Sequence, residues 1–110
     1  MENNLTKVKC IACSGDMPKT TKEEMSVLLA GMPGWISTGV SIRKIFVFRN
    51  FKEALAFFNK VAEVAEAENH HPDMCINRWK NVMVSLTTHA VKGLTLNDFI
   101  VAAKVEAIPR

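Results

Sequence analysis

Cysteine is scarce in this chain of 110 residues: three are present, too few and of the wrong parity for a disulfide framework. Long apolar runs are missing too. Ile45-Phe46-Val47-Phe48 is among the longest, far below the roughly 18 residues a membrane span requires. There is no basic block: Lys7, Lys9, Arg43, Lys44, Arg49, Lys60, Arg78 and Lys80 are scattered, and the net charge is only +3. Nothing in that distribution traces a phosphate backbone, so nucleic acid is not an expected direct partner. The opening MENNLTKVKC has neither the apolar stretch of a signal peptide nor the composition of a transit peptide. The expected setting is a reducing one, the cytoplasm. What is present is an ordinary globular balance, 48% apolar and 23% charged. At this length one domain can bury about two thirds of its unfolded surface without a metal or a disulfide.

Residues 1–18 carry no periodicity and include Gly15 and Pro18, so they read as an irregular arm preceding a domain over 19–110. Thr20-Thr21-Lys22-Glu23-Glu24 offers two overlapping capping boxes, in which a hydroxyl and a carboxylate each satisfy an orphan backbone group. A short helix follows with Met25, Leu28, Leu29 and Met32 inward, closed by Gly31 and Pro33-Gly34. Residues 35–40 and 42–49 read as a strand pair, the second rich in β-branched and aromatic side chains. The long helix begins at Asn50-Phe51-Lys52-Glu53, with Phe51, Ala54, Leu55, Phe58, Val61, Ala62 and Ala65 as its predicted inward stripe.

Pro72 closes that helical region, because the residue before a proline is driven out of the helical basin. Residues 74–79 and 81–88 make a second strand pair. In the last strand Val82, Val84 and Leu86 point one way, and Met83, Ser85, Thr87 and His89 the other. Thr95-Leu96-Asn97-Asp98 opens a final helix with Phe99, Ile100 and Ala103 on its apolar side. The predicted class is α+β in the order α-β-β-α-β-β-α. Two hairpins separated by a helix favour one four-stranded antiparallel sheet with the helices on one face.

All three histidines, His70, His71 and His89, fall within twenty residues of one another. Glu66 stands four before His70 at the end of the long helix, a spacing at which carboxylate and imidazole can meet and fix the ring's tautomer. Pro72 holds His71 extended, so it points elsewhere than His70. With His89 at the end of the last strand and Asp98 in the first turn of the last helix, one cleft can gather three imidazoles and two carboxylates. Each residue also has an ordinary structural role: Glu66 on a solvated helix face, Asp98 as the third-position capping partner of Thr95.

In order and spacing these residues resemble a known family. Glu66-x-x-x-His70-His71-Pro72-Asp73, then Trp79, then Leu86-x-Thr88-His89, then Gly93-Leu94-Thr95-x-x-Asp98-Phe99 is similar to the signature of pterin-4a-carbinolamine dehydratases. Phe51-x-x-Ala54-x-x-Phe57-Phe58 and Gly34-Trp35 fit the same family, so the resemblance spans about residues 20–105. The chain departs from the animal-type pattern at two points: six residues rather than five separate Pro72 from Trp79, and Met74 stands where an aromatic is usual.

The resemblance implies dehydration of 4a-hydroxytetrahydrobiopterin to quinonoid dihydrobiopterin in tetrahydrobiopterin recycling. It implies His70, His71 and His89 as acid/base and substrate-binding groups, Glu66 and Asp98 as supporting acids, and contacts to the pterin edge from around Pro72 and Thr88. That chemistry calls for no metal, nucleotide or electron carrier. A homodimer, or a dimer of dimers, is the assembly the family implies. Two other readings compete. A non-catalytic dimerisation or interaction module is one, since animal members also serve as dimerisation cofactors for a homeodomain transcription factor. A small zinc-binding domain is the other, with Cys10 and Cys13 completed by His70 or His71.

Overall fold

In the computed structural model, which describes residues 4–11 and 15–110, the elements run α1 (Lys22–Ala30), β1 (Ile36–Ser37), β2 (Ile42–Val47), α2 (Phe51–Glu68), β3 (Asp73–Asn77), β4 (Asn81–Leu86) and α3 (Leu96–Glu106). Short 3-10 turns cover Asn4–Lys7 and His89–Val91. The strands form one antiparallel sheet in the order β1-β2-β4-β3. This is the predicted α+β architecture, three helices against one face of a four-stranded sheet. Alternation decides which face is covered: Ile42 and Phe46 of β2 and Val82, Val84 and Leu86 of β4 are buried, while Arg43, Ile45 and Val47 are exposed.

The strands are shorter than the sequence predicts, for local reasons. β1 is cut to two residues because the hydroxyls of Thr38 and Ser41 meet at 2.6 Å, and Ser41 N–H donates to Thr38 Oγ1 at 3.2 Å. With Gly39 at φ 97, these side-chain bonds turn the chain before a longer ladder can form. β2 ends at Val47 because Asn50 must leave the sheet to cap α2, its Oδ1 accepting from Glu53 N–H at 2.8 Å. Arg78 and Trp79, placed in a strand by pattern, instead take positive φ (50 and 56) in the β3–β4 hairpin.

In two helices the buried surface differs in extent from the predicted stripe: α2 keeps Ala54, Val61 and Ala65 inward but turns Phe51 and Leu55 out, and α3 buries Phe99, Ile100 and Ala103 together with most of its other residues. In α2 the buried residues are Ala54, Phe57, Val61, Ala65 and Glu68, whereas Phe51 and Leu55 are exposed. The run Leu55-Ala56-Phe57-Phe58 satisfies helical spacing in more than one register. The sheet selects Phe57, whose ring stacks at 4.8 Å on Phe46 and 5.0 Å on Phe48. α3 is buried from Asn97 to Ala103 rather than on one stripe, because α2 covers one side and the segment around Asn4–Lys7 another. α1 is the peripheral helix. Its capping box forms as predicted, Thr21 N–H to Glu24 Oε1 at 2.9 Å and Glu24 N–H to Thr21 Oγ1 at 3.1 Å, but Met25, Leu28 and Leu29 are only half-buried. Among the described residues no helix is long and apolar enough to cross a membrane.

Candidate active site

α2 is capped three residues before Pro72, by an asparagine. Asn69 sits in the left-handed region (φ 52, ψ 39), a conformation Asn tolerates better than most residues. Its N–H donates to Glu66 O at 3.3 Å, and His70 N–H reaches back to Ala65 O at 3.2 Å. This paired arrangement satisfies the last helical carbonyls and swings His70 off the Glu66 face, inward toward α3. Pro72 then holds His71 extended at the entry to β3.

Asp98 comes from the other direction. It is the third residue of α3, and its Oδ2 accepts from Thr95 N–H at 3.0 Å, half of a capping box. The same oxygen accepts from Thr88 Oγ1 at 2.8 Å, and Oδ1 lies 2.7 Å from His70 Nε2. The Thr88 and Thr95 hydroxyls meet at 2.8 Å. Since Thr88 spends its one proton on Asp98, the Thr95 hydroxyl donates to Thr88. The result is a directed chain, Thr95 to Thr88 to Asp98. An ionised Asp98 accepts from every neighbour, which places the hydrogen of the His70 contact on Nε2. Asp98 has no solvent exposure and His70 only 5%, so water does not screen the pair and its hydrogen bonds are charge-assisted.

The other predicted residues are exposed or half-buried, outside this buried chain. Glu66 does not meet His70; the left-handed turn at Asn69 gives its carboxylate to His71 instead, Oε1 to Nε2 at 3.0 Å. That pair is solvated, with side chains 80% and 54% exposed, and contributes little to stability. His89 is not on β4, which ends at Leu86, but opens the 3-10 turn and is exposed. Thr88 N–H donates to Gly93 O at 2.9 Å, and Lys92 takes φ 54, so residues 88–93 close on themselves and project His89 outward. His71 follows buried His70, and His89 follows buried Thr88. Each exposed histidine is thus one residue from the Thr95–Thr88–Asp98–His70 chain. Pro72 is half-buried beside them.

Sequence reasoning valued Thr88 for its backbone and Thr95 for its cap. Their hydroxyls are members of the buried chain, and the signal for both was Thr-x-x-Asp following Thr-His. A cavity of about 870 Å³ lies elsewhere, among Phe46, Phe57, Arg49, Lys60 and Arg110. It lies against the first half of α2, whose lining residues Glu53 to Lys60 are about 15–25 Å from His70 along the helix at 1.5 Å per residue, and no histidine lines it. Among the described residues no group of three or more His, Cys, Asp and Glu is arranged to hold a metal; Cys13 lies outside the described residues.

A family profile described as pterin 4 alpha carbinolamine dehydratase matches residues 18–108. The chain belongs to the pterin-4a-carbinolamine dehydratase family. A Rubrobacter xylanophilus protein carrying the pterin-4-alpha-carbinolamine dehydratase name is 41% identical over 107 residues, 96% of this chain and 99% of that protein. A crystal structure of a transcriptional coactivator/pterin dehydratase from Brucella melitensis superposes with a TM-score of 0.75 at 33% identity, covering 82% of this chain and 97% of that one. A pterin dehydratase-like protein described as a RuBisCO assembly factor in the alpha-carboxysome superposes at TM-score 0.55 and 20% identity, over 66% and 83% of the two chains. That last likeness is one of fold alone. For this pterin-4a-carbinolamine dehydratase family member, the profile spans every residue of the buried chain and both exposed histidines, and leaves out the amino-terminal segment.

Proposed function

We propose that this protein dehydrates 4a-hydroxytetrahydrobiopterin to quinonoid dihydrobiopterin. The observation that carries the reading is the buried His70–Asp98 pair, backed by the two threonine hydroxyls, with exposed His71 and His89 each next in the chain to one of its members, in a chain of this family. In the reaction the C4a–O bond breaks, the hydroxyl leaves as water after taking up a proton, and a ring nitrogen releases a proton as the C=N bond forms. The step needs one group to give a proton and another to take one, at neutral pH. Imidazole, with an unperturbed pKa near 6.5, can do either.

His70, held in one tautomer by Asp98, and His89 are assigned as the acid/base groups. His71, oriented by Glu66, binds substrate and shares in proton transfer, and the backbone around Pro72 and Thr88 grips the pterin edge. Positioned acid/base groups typically contribute about 10²–10⁴-fold each. Turnover then serves tetrahydrobiopterin recycling in the cytoplasm, by a homo-oligomer.

The test is stopped-flow decay of freshly generated 4a-carbinolamine. We expect acceleration by the wild-type protein and at least a tenfold loss in His70→Ala and in His89→Ala, with both variants folded by circular dichroism. Near-wild-type rates in both would overturn the assignment. A second reading is an interaction module, favoured by exposed Phe51 and Leu55 on α2 and by the coactivator description of the Brucella melitensis relative. A folded wild-type protein that leaves carbinolamine decay unchanged would favour it.

A further inference from the structure

Among the described residues six polar side chains are buried: Glu68, His70, Thr88, Thr95, Asn97 and Asp98. Four of these make the chain just described. The other two, Glu68 and Asn97, hold the segment that precedes the family-matched region. Asn97 clasps the backbone of Ile11 with both ends of its amide, accepting from Ile11 N–H at 3.1 Å and donating to Ile11 O at 2.8 Å. Cys10 N–H donates to Glu68 Oε1 at 2.9 Å, and the Cys10 thiol lies 3.7 Å from Asn97 O. Lys9 Nζ donates to Ala67 O at 3.0 Å, and the 3-10 turn Asn4–Lys7 packs along α3. Glu68 in turn bonds Lys104 of α3 at 2.6 Å.

These anchors sit where the site is built. Ala67 and Glu68 end α2, two residues before His70; Asn97 stands immediately before Asp98 at the start of α3. We infer that residues 4–11 form a strap joining the two helix ends that carry His70 and Asp98, and that Asn97 and Glu68 are positioning residues for the dehydration proposed above, on which this inference rests. The physical reason is exposure. Asn97 and Glu68 are covered by the strap, and releasing it opens the first turn of α3 to water beside a carboxylate that has none. The 2.7 Å contact then gains solvent competitors and its geometry loosens. Small displacements of a reacting group cost rate steeply.

Ile11→Pro tests this from the strap side. It deletes the N–H that Asn97 accepts, and by fixing the backbone at residue 11 and restricting Cys10 before it also loosens the strap, while the lost side chain is 63% exposed; Ile11→Ala, which keeps both backbone groups, is the control. We expect about a tenfold lower kcat in Ile11→Pro, in line with the rate sensitivity of misplaced groups. KM should stay within about twofold, because the strap residues are not assigned to substrate contacts. By NMR, the His70 Nε2–H signal should exchange faster with water. Ile11→Ala should match wild type in all three. Wild-type kcat and an unaltered His70 signal in Ile11→Pro, with amide exchange showing the strap released, would overturn the inference. If Ile11→Pro does not fold, Asn97→Ala breaks the clasp from the helix side, and unchanged values there overturn it equally. If wild type itself does not turn over the carbinolamine, the functional reading fails while the His70 signal still decides the strap.

Discussion

Asp98 is asked to satisfy three donors with two oxygens, and that fixes what its amide analogue can do. In Asp98→Asn the oxygen must face Thr95 N–H and the Thr88 hydroxyl, because both are donors. The NH2 group is then turned on His70 Nε2, which must become an acceptor, so the ring's hydrogen moves to the other nitrogen. The fold survives with its volume unchanged, but the tautomer is reversed. We expect kcat for carbinolamine dehydration to fall about 100-fold, the scale of one acid/base group. Histidine ¹⁵N shifts should report the switched tautomer in the folded variant; a wild-type tautomer at wild-type rate would refute the assignment. This residue also shows where reading the sequence succeeded and where it stopped. Spacing made Asp98 either a capping partner or a supporting acid; in the structure Oδ2 takes the Thr95 cap bond while Oδ1 meets His70, so the cap does not use up the carboxylate. Glu66 was matched to His70 by helical spacing alone, a rule that fails once Asn69 ends the helix between them.

At the scale of elements, the ends of α2 and α3 are tied by Glu68. Burial pushes the Glu68 carboxyl up, but hydrogen bonds from Lys104 and from the Cys10 amide outweigh it, so the group is held below its ordinary value of 4.5. A carboxyl whose folded pKa is depressed contributes stability above its unfolded pKa and loses it as pH falls through the folded one. The charged groups meeting it are Lys104 from α3 and, on the strap beside it, Lys9 on the neighbouring Ala67 carbonyl. Glu68→Gln keeps the shape and removes the charge. Urea unfolding should therefore show wild type more stable than Glu68→Gln at pH 7, with the gap closing as pH drops below about 4.5. A gap that persists unchanged at pH 3 would mean the carboxylate's charge is not what binds these ends. Element order was legible throughout, because capping boxes, β-branched runs and prolines are local signals. Element lengths were less so. β1 was shortened by hydroxyl bonds between Thr38 and Ser41, and the β3–β4 turn took positive φ at Arg78 and Trp79, which no composition rule assigns to those residue types.

For the whole molecule the informative residues are the large apolar ones left outside. Phe51 and Leu55 share one side of α2 at i, i+4 spacing and are 51% and 39% exposed, while Phe57 on the opposite side fills the core. The sequence could not choose between these faces, because Leu55, Phe57 and Phe58 crowd three apolar side chains into one turn. Only the position of Phe46 on the sheet separates core from surface. An apolar strip of this kind on the longest helix gives the proposed homo-oligomer a surface to bury, since a second copy presenting the same strip makes a self-complementary contact. Leu55→Glu places a charge in such a contact and leaves the core untouched. Light scattering after gel filtration should find wild type as a dimer or tetramer and Leu55→Glu as a smaller species, with the circular dichroism of the fold retained. An unchanged mass in Leu55→Glu would move the interface off this face of α2. A monomeric wild type would mean that Phe51 and Leu55 serve some other partner. Because His70 and Asp98 are buried within one chain and joined by its own strap, dissociation should lower the dehydration rate less than Asp98→Asn does.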